Sequence, residues 1–315
     1  MKPKRVEIVE VGPRDGLQNE ASIVSTDDKL ALIERLVAAG LRRIEVTSFV
    51  NPAKVPRMAD AEELCRRLPR RDDVTWVGLV LNAKGARRAI DAGLDELGAV
   101  VMATDSFGLR NQGRDREGTL EVARAIMAEA RDAGRAGQIT ISAAFGCPYE
   151  GEVPADRVVD LARRAADARP REIALADTIG VAVPAQVTEL VERVRAAIEP
   201  LPVRAHFHNT RSLGAANTWA AILAGASTVD ASLGGLGGCP FAPNATGNVA
   251  TEDVAYMLAR SGIATGIDLA ALIEAERWFA GVIGRDLPGM VSKAGDFPGA
   301  LGRTDAPADK EPRDA

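Results

Sequence analysis

The chain has only two histidines, His206 and His208, and both lie in the stretch AHFHNTRS. On an extended strand, residues two apart point to the same side. The two imidazoles therefore face one way, and Thr210 follows on that side. Such a pair can be no more than hydrogen-bonded polar residues on a strand. As the sole histidines of the chain, side by side near a strand end, they suit a metal site better. Tetrahedral zinc would want further Cys or His ligands, and Cys65, Cys147 and Cys239 show no paired spacing. Two imidazoles completed by oxygen donors and water suit a hard octahedral divalent ion, Mg²⁺ or Mn²⁺.

Several residues could supply the oxygens and the proton chemistry. Asp15 follows the first strand-like run in GPRDG, with Arg14 beside it; an Asx turn or a surface salt bridge would also explain that pair. Glu45 sits between Ile44 and Val46, where a carboxylate is costly to bury unpaired, so it should face a polar interior or a partner. Asp177 ends the run ALAD in the same manner. Cys239 lies in the glycine-rich stretch GGLGGCPFAPNATGN, either as an incidental thiol or as one placed to exchange a proton. Asn248 precedes the helix-like TEDVAYML and could be a cap or an amide oxygen ligand.

The elements that must position these residues alternate regularly. Strand-like runs at 5–12, 42–49, 74–80, 96–103, 139–146, 172–178, 203–209 and 228–235 are each followed by a helical pattern, such as 27–40, Met58–Leu68 and Arg116–Ala133. Alternation of this kind requires parallel strands joined by crossover helices. Eight such units fit a closed (β/α)₈ TIM barrel, whose usual size is about 250 residues. A doubly wound open sheet is the alternative, but VGPRDGLQ after the first run is not a dinucleotide fingerprint. In a barrel the strand C-termini carry the active site, which is where the histidines and acids above fall. The run LAALIEAERWFAGVIG adds a C-terminal helical extension. We expect one catalytic domain over 1–285 and a tail over 286–315. The charged, Pro-containing last residues of that tail, about 12, should be disordered.

Composition narrows the classes. Apolar residues make up 46% of the chain, ample for a large core, and aromatics only 4%, so that core is chiefly aliphatic. A net charge of −5 argues against nucleic-acid binding. No apolar run reaches about 18 residues, which argues against a membrane span. Three cysteines make no disulfide framework, and MKPKRVEIVEVGPRD has no signal-peptide layout; both suggest a cytoplasmic protein.

The segments VEIVEVGPRDGLQNE, IEVTSFV, GCPYEG, ADTIGV, HFHNT and GGLGGCPFAPNATGNVATEDV together resemble the 3-hydroxy-3-methylglutaryl-CoA lyase family, metal-dependent TIM-barrel enzymes. The resemblance spans about residues 5–285. It implies Asp15, His206, His208 and Asn248 as ligands of Mg²⁺ or Mn²⁺. It implies Arg14 as the stabiliser of enolate charge and a substrate contact, Cys239 as a catalytic acid/base on a closing loop, and Glu45 and Asp177 as carboxylates of the site. Gln18, Ser48 and Asn111 match positions near the substrate, and Glu252 a supporting one. The implied reaction is retro-Claisen cleavage of 3-hydroxy-3-methylglutaryl-CoA to acetyl-CoA and acetoacetate, with Asp177, Glu45 nearby, or a residue they orient as the base that takes the hydroxyl proton, in a homodimer whose partner molecule is an acyl-CoA. Asn209 and Arg211 depart from the aspartate and tyrosine common after the second histidine, and VMATDSFGLRNQG departs from the usual fourth-strand segment. These changes bear on the acyl group; Arg211 could bind a carboxylate or a CoA phosphate. A lyase for citramalyl-CoA or a longer 3-substituted glutaryl-CoA is the nearest alternative. A condensing synthase is less favoured, because the chain ends before the regulatory domain those enzymes carry. A non-catalytic metal-binding barrel would leave Arg14, Glu45, Asp177 and Cys239 without a task.

Overall fold

A computed structural model describes residues 2–238 and 247–298. Eight parallel strands close into a barrel in sequence order: β1 (Glu7–Glu10), β2 (Arg43–Ser48), β3 (Thr75–Leu79), β4 (Glu96–Met102), β5 (Ala136–Ser142), β6 (Ile173–Asp177), β7 (Val203–Phe207) and β8 (Thr228–Ala231). β1 pairs with β2 on one side and, residue for residue from Glu7↔Thr228 to Glu10↔Ala231, with β8 on the other. The helices of the alternating pattern are α1 (Thr26–Ala38), α2 (Ala61–Arg67), α3 (Ala83–Asp91), α4 (Asp105–Gln112), α5 (Arg116–Asp132), α6 (Ala155–Ala166), α7 (Pro184–Ile198), α8 (Gly214–Ala224) and α9 (Thr251–Arg260). Two more, α10 (Leu269–Ile283) and α11 (Val291–Ala294), form the C-terminal extension. The (β/α)₈ expectation is therefore met.

Helix α1 shows why these segments fold locally as they do. Ser25 caps its N-terminus by accepting from the Asp28 amide at 3.1 Å, and Asp27 and Asp28 lie in the first turn, where the helix dipole favours negative charge. Its apolar residues Leu32, Ile33 and Leu36 are fully buried against the barrel. On the outside, α10 packs along it, with the Arg35 guanidinium 4.3 Å from the Trp278 ring.

Three differences from the sequence reading matter for the site. The first strand is shorter than 5–12, because Gly12–Gly16 leaves it as a π-helical turn whose Asp15 and Gly16 amides both donate to the Val11 carbonyl. The second helix starts at Ala61, after a 3₁₀ turn over Pro56–Met58. Helix α4 was not expected at all: DSFGLRNQ has no apolar stripe to announce it, and only Phe107 and Gly108 are buried.

The lower barrel is unusual. Aliphatic layers fill the interior of most TIM barrels. Here Arg43, 1% exposed, pairs with Glu96, with Glu172 at 2.7 Å and with Glu7 at 3.2 Å. Arg204 continues the set, 3.4 Å from Glu172 and 3.3 Å from Asp230. A chain of ion pairs thus runs up the interior from the closed end to the strand C-termini.

Candidate active site

A cavity of about 800 Å³ opens at the C-terminal ends of the strands. The Gly12–Gly16 turn brings Asp15 and Arg14 to its rim, and β7 brings His206 and His208. One ligand-capable atom from each of Asp15, His206 and His208 lies within 4.8 Å of the others. Both Nε2 atoms approach the same carboxylate oxygen, Asp15 Oδ2, His206 at 3.9 Å and His208 at 4.0 Å. The two rings are 5.3 Å apart, centre to centre. Asn248 completes the cluster. It donates Nδ2 to Asp15 Oδ2 at 2.9 Å and to the Leu236 carbonyl at 3.0 Å, and its Oδ1 is buried without a partner.

The fit to a hard cation can be judged from these atoms. A carboxylate and two imidazoles converge on the cavity, the Asn248 amide lies against that carboxylate with its oxygen unpartnered, and the donor types are those of a six-coordinate Mg²⁺ or Mn²⁺ site. An unpartnered buried polar atom costs about 1–3 kcal/mol, a cost that a cation accepting Oδ1 as a ligand would remove. Asp15, His206 and His208 could therefore hold a metal ion.

Arg14 links this cluster to Glu45. Its Nη1 donates to Asp15 Oδ1 at 2.6 Å, and its Nε donates to Glu45 Oε2 at 2.7 Å. Burial would push the Asp15 carboxyl up, but the charges of Arg14, His206 and His208 outweigh it and hold Asp15 well below the usual carboxylate range. Glu45 goes the other way: its burial outweighs Arg14 and leaves the carboxyl above its ordinary value. Burial alone would lower the His206 imidazole, but the Asp230 and Asp15 carboxylates raise it. Adjacent carboxyl groups of opposed tendency are the usual mark of divided roles, one held as an anion and one able to exchange a proton.

The remaining expected residues divide. Gln18 and Asn111 line the cavity. Ser48 is 1% exposed but is not among the lining residues, and its hydroxyl has no partner. Asp177 is also outside the lining: its two oxygens accept the Val181 and Ala182 amides at 2.9 and 3.0 Å, fixing the turn after β6. Burial pushes its carboxyl up. Arg211 donates to the Ile179 and Gly180 carbonyls of that same turn at 3.3 and 2.8 Å, so in this structure it holds a loop and does not line the cavity. Glu252 is buried and supports the start of the glycine-rich stretch by accepting the Gly234 amide at 3.0 Å. Cys239 lies outside the described residues. The segment leading to it is anchored where Asn19 donates to the Gly238 carbonyl at 2.8 Å.

Sequence reasoning missed Asp230, Gln138 and Arg204, which also line the cavity. The signal was present in TVDAS, GQITI and VRAHF: each sets a polar or charged residue in an apolar strand, as with Glu45. Among the described residues, no helix is long and apolar enough to cross a membrane.

Barrel, rim cluster and part-buried Arg14–Glu45 pair together define an enzyme that works at the open end of a (β/α)₈ barrel. The HMGL-like family model matches residues 5–278. The chain is 44% identical to the (R)-citramalyl-CoA lyase of Chloroflexus aurantiacus over 301 residues, 92% of this chain and 95% of the relative. It is 39% identical to the 3-hydroxy-3-isohexenylglutaryl-CoA/hydroxy-methylglutaryl-CoA lyase of Pseudomonas aeruginosa, over 93% of this chain and 97% of the relative. Among solved structures, an HMG-CoA lyase from Acinetobacter baumannii in complex with coenzyme A and 3-methylmalate superposes with a TM-score of 0.90 at 39% identity, covering 96% of this chain and 98% of that one. The chain belongs to the HMGL-like family and is a lyase.

Proposed function

We propose that this protein is a divalent-metal-dependent carbon–carbon lyase that cleaves 3-hydroxy-3-methylglutaryl-CoA to acetyl-CoA and acetoacetate. The observation that carries the reading is the convergence of Asp15, His206 and His208 beside the Arg14–Glu45 pair at the cavity rim. Asp15, His206, His208 and the Asn248 amide oxygen would hold Mg²⁺ or Mn²⁺. When bound, the ion would supply Lewis acidity and a template for the substrate's hydroxyl.

The chain's own groups do the rest. Glu45 lines the cavity and is the better-placed base; Asp177, with both oxygens on backbone amides, shapes the turn beside it. Glu45 takes the proton of the 3-hydroxyl. The C2–C3 bond breaks, its electron pair passes into the thioester as an enolate, and C3 becomes the ketone carbon of acetoacetate. Arg14 places positive charge beside the enolate oxygen. Cys239 returns a proton to C2, giving acetyl-CoA, and Glu45 and Cys239 re-equilibrate with solvent.

The cavity lining bears on the acyl group. Polar Gln138, Thr140 and Arg204 line it together with apolar Leu79, Val100 and Met102, and Gln138, 1% exposed, has an oxygen without a partner. The polar members of the lining suit a short carboxylated acyl group, since a long apolar branch laid against them would strand the Gln138 amide and the Arg204 guanidinium. The 44% identical relative gives a second reading, (R)-citramalyl-CoA, whose cleavage by the same bond changes would yield acetyl-CoA and pyruvate.

The deciding experiment presents the purified protein, with Mg²⁺ or Mn²⁺, with both thioesters and with a 3-isohexenyl analogue. We expect metal-dependent release of acetyl-CoA with acetoacetate, abolished by chelation and restored by the ion. Pyruvate release alone selects the second reading, and no acetyl-CoA from any of the three rejects both.

A further inference from the structure

We propose that Asp230 is the positioning residue that fixes the His206 imidazole for cation binding, a role that rests on the metal-dependent reading above. Asp230 lies at the third position of β8, and its carboxylate is 4% exposed. Its Oδ2 is 3.0 Å from His206 Nδ1. Its Oδ1 faces Arg204 Nε at 3.3 Å, and Arg204 is in turn held by Glu172. A carboxylate can only accept, so His206 must donate from Nδ1. The neutral ring then has its lone pair on Nε2, the atom that faces Asp15.

The contact therefore settles two things at once. It puts the proton on the nitrogen away from the cation cluster, and it sets the plane of the ring. The ion-pair chain beneath gives the carboxylate little freedom to turn. Arg204 approaches Oδ1, so Oδ2 is the oxygen left for the imidazole. An amide in place of the carboxylate would keep its oxygen toward Arg204 and offer an N–H to His206. That reverses the hydrogen bond and moves the ring proton to Nε2, where it blocks a cation. A carboxylate behind a ligating histidine commonly contributes 10–100-fold in metal affinity.

The test uses the fact that the chain has only two histidines. The ring ¹⁵N spectrum of the histidine-labelled, metal-free protein, taken at alkaline pH where the rings are neutral, contains two residues and assigns each tautomer directly. We expect the wild-type His206 proton on Nδ1. We expect Asp230→Asn to move it to Nε2, with His208 unchanged, and to weaken Mn²⁺ binding, measured calorimetrically, by about 10–100-fold while the melting transition persists. A wild-type His206 protonated on Nε2 overturns the proposal and needs no variant to fold. So does folded Asp230→Asn that binds Mn²⁺ within about twofold of wild type. Failure of the wild type to bind Mn²⁺ at all would instead overturn the metal-dependent reading itself.

Discussion

Arg14 touches both carboxylates of the rim, and this shared contact governs what single substitutions should do. Arg14→Ala would remove the charge proposed for the enolate oxygen and release the Asp15 and Glu45 carboxylates from their shared partner. We expect kcat/KM to fall by at least 10²–10³, with the circular dichroism spectrum retained. Cys239→Ala should cost a similar factor if the thiol returns the proton. Glu45→Gln should lower kcat by about 10²–10⁴ and leave Mn²⁺ affinity near wild type, because Glu45 is outside the ligand cluster. The pH profile follows from its raised carboxyl. A base must be ionised to act, so activity should be lost as pH falls, at a midpoint above the ordinary glutamate value. A wild-type rate that stays flat through that range would remove Glu45 as the base.

At this scale the sequence was informative where residue type and spacing determine chemistry. His206 and His208 share a face because strands alternate; Asp15 and Asn248 joined them only through the family resemblance, since by themselves they also suited an Asx turn and a helix cap. It was uninformative where a long or flexible side chain chooses among partners. Arg211 could have reached a substrate phosphate, but backbone carbonyls of its neighbouring turn lie closer. Asp177 looked like a second catalytic carboxylate, and its two amide partners belong to residues whose side chains announce nothing.

Between residue and barrel stand the turns that aim the side chains. Gly237, at φ +116°, is in a backbone region closed to most residues, and a Cβ there would sit 2.8 Å from Asn248 Nδ2 and 3.4 Å from the Asp15 carbonyl. Gly237→Ala should displace Asn248 and weaken Mn²⁺ binding, with a destabilisation of about 1–2 kcal/mol from the strained φ. Unchanged affinity in a calorimetric titration would show that Asn248 does not depend on this glycine. The glycine richness of 234–248 was plain in the sequence, yet only the fold shows which glycine presses on the cluster. Helix α4 escaped notice for a related reason. Its residues Leu109, Arg110 and Asn111 face the cavity mouth, so no apolar periodicity was required of them.

For the molecule as a whole, eightfold alternation was legible because each strand must be covered by a helix. The charged lower interior was not. Arg43, Glu96, Glu172 and Arg204 each stand near the start of a strand, where charges normally face water, and only barrel closure turns them inward. Buried acids also tie stability to pH. Glu10 accepts the Gly12 and Leu233 amides and the Thr251 hydroxyl, and burial, the dominant influence, raises its carboxyl from 4.5 to about 7. Folded protein then holds a proton that unfolded chain has released, so stability should fall as pH rises from about 5 through 7, by on the order of 3 kcal/mol. Glu10→Gln has no such proton to lose. Its urea midpoint should decline less over that interval than the wild-type midpoint, and parallel curves would refute the assignment.

Sequential closure joins the first strand to the last, so Asp15 and Asn248 meet although they stand 233 positions apart in sequence. The cation cluster therefore straddles the seam of the cylinder. A nascent polypeptide released before its eighth strand would carry both imidazoles and the early aspartate, yet have no ring to hold them together. We therefore expect Mn²⁺ uptake to mark completed closure, with a time course during refolding that trails every local helix signal.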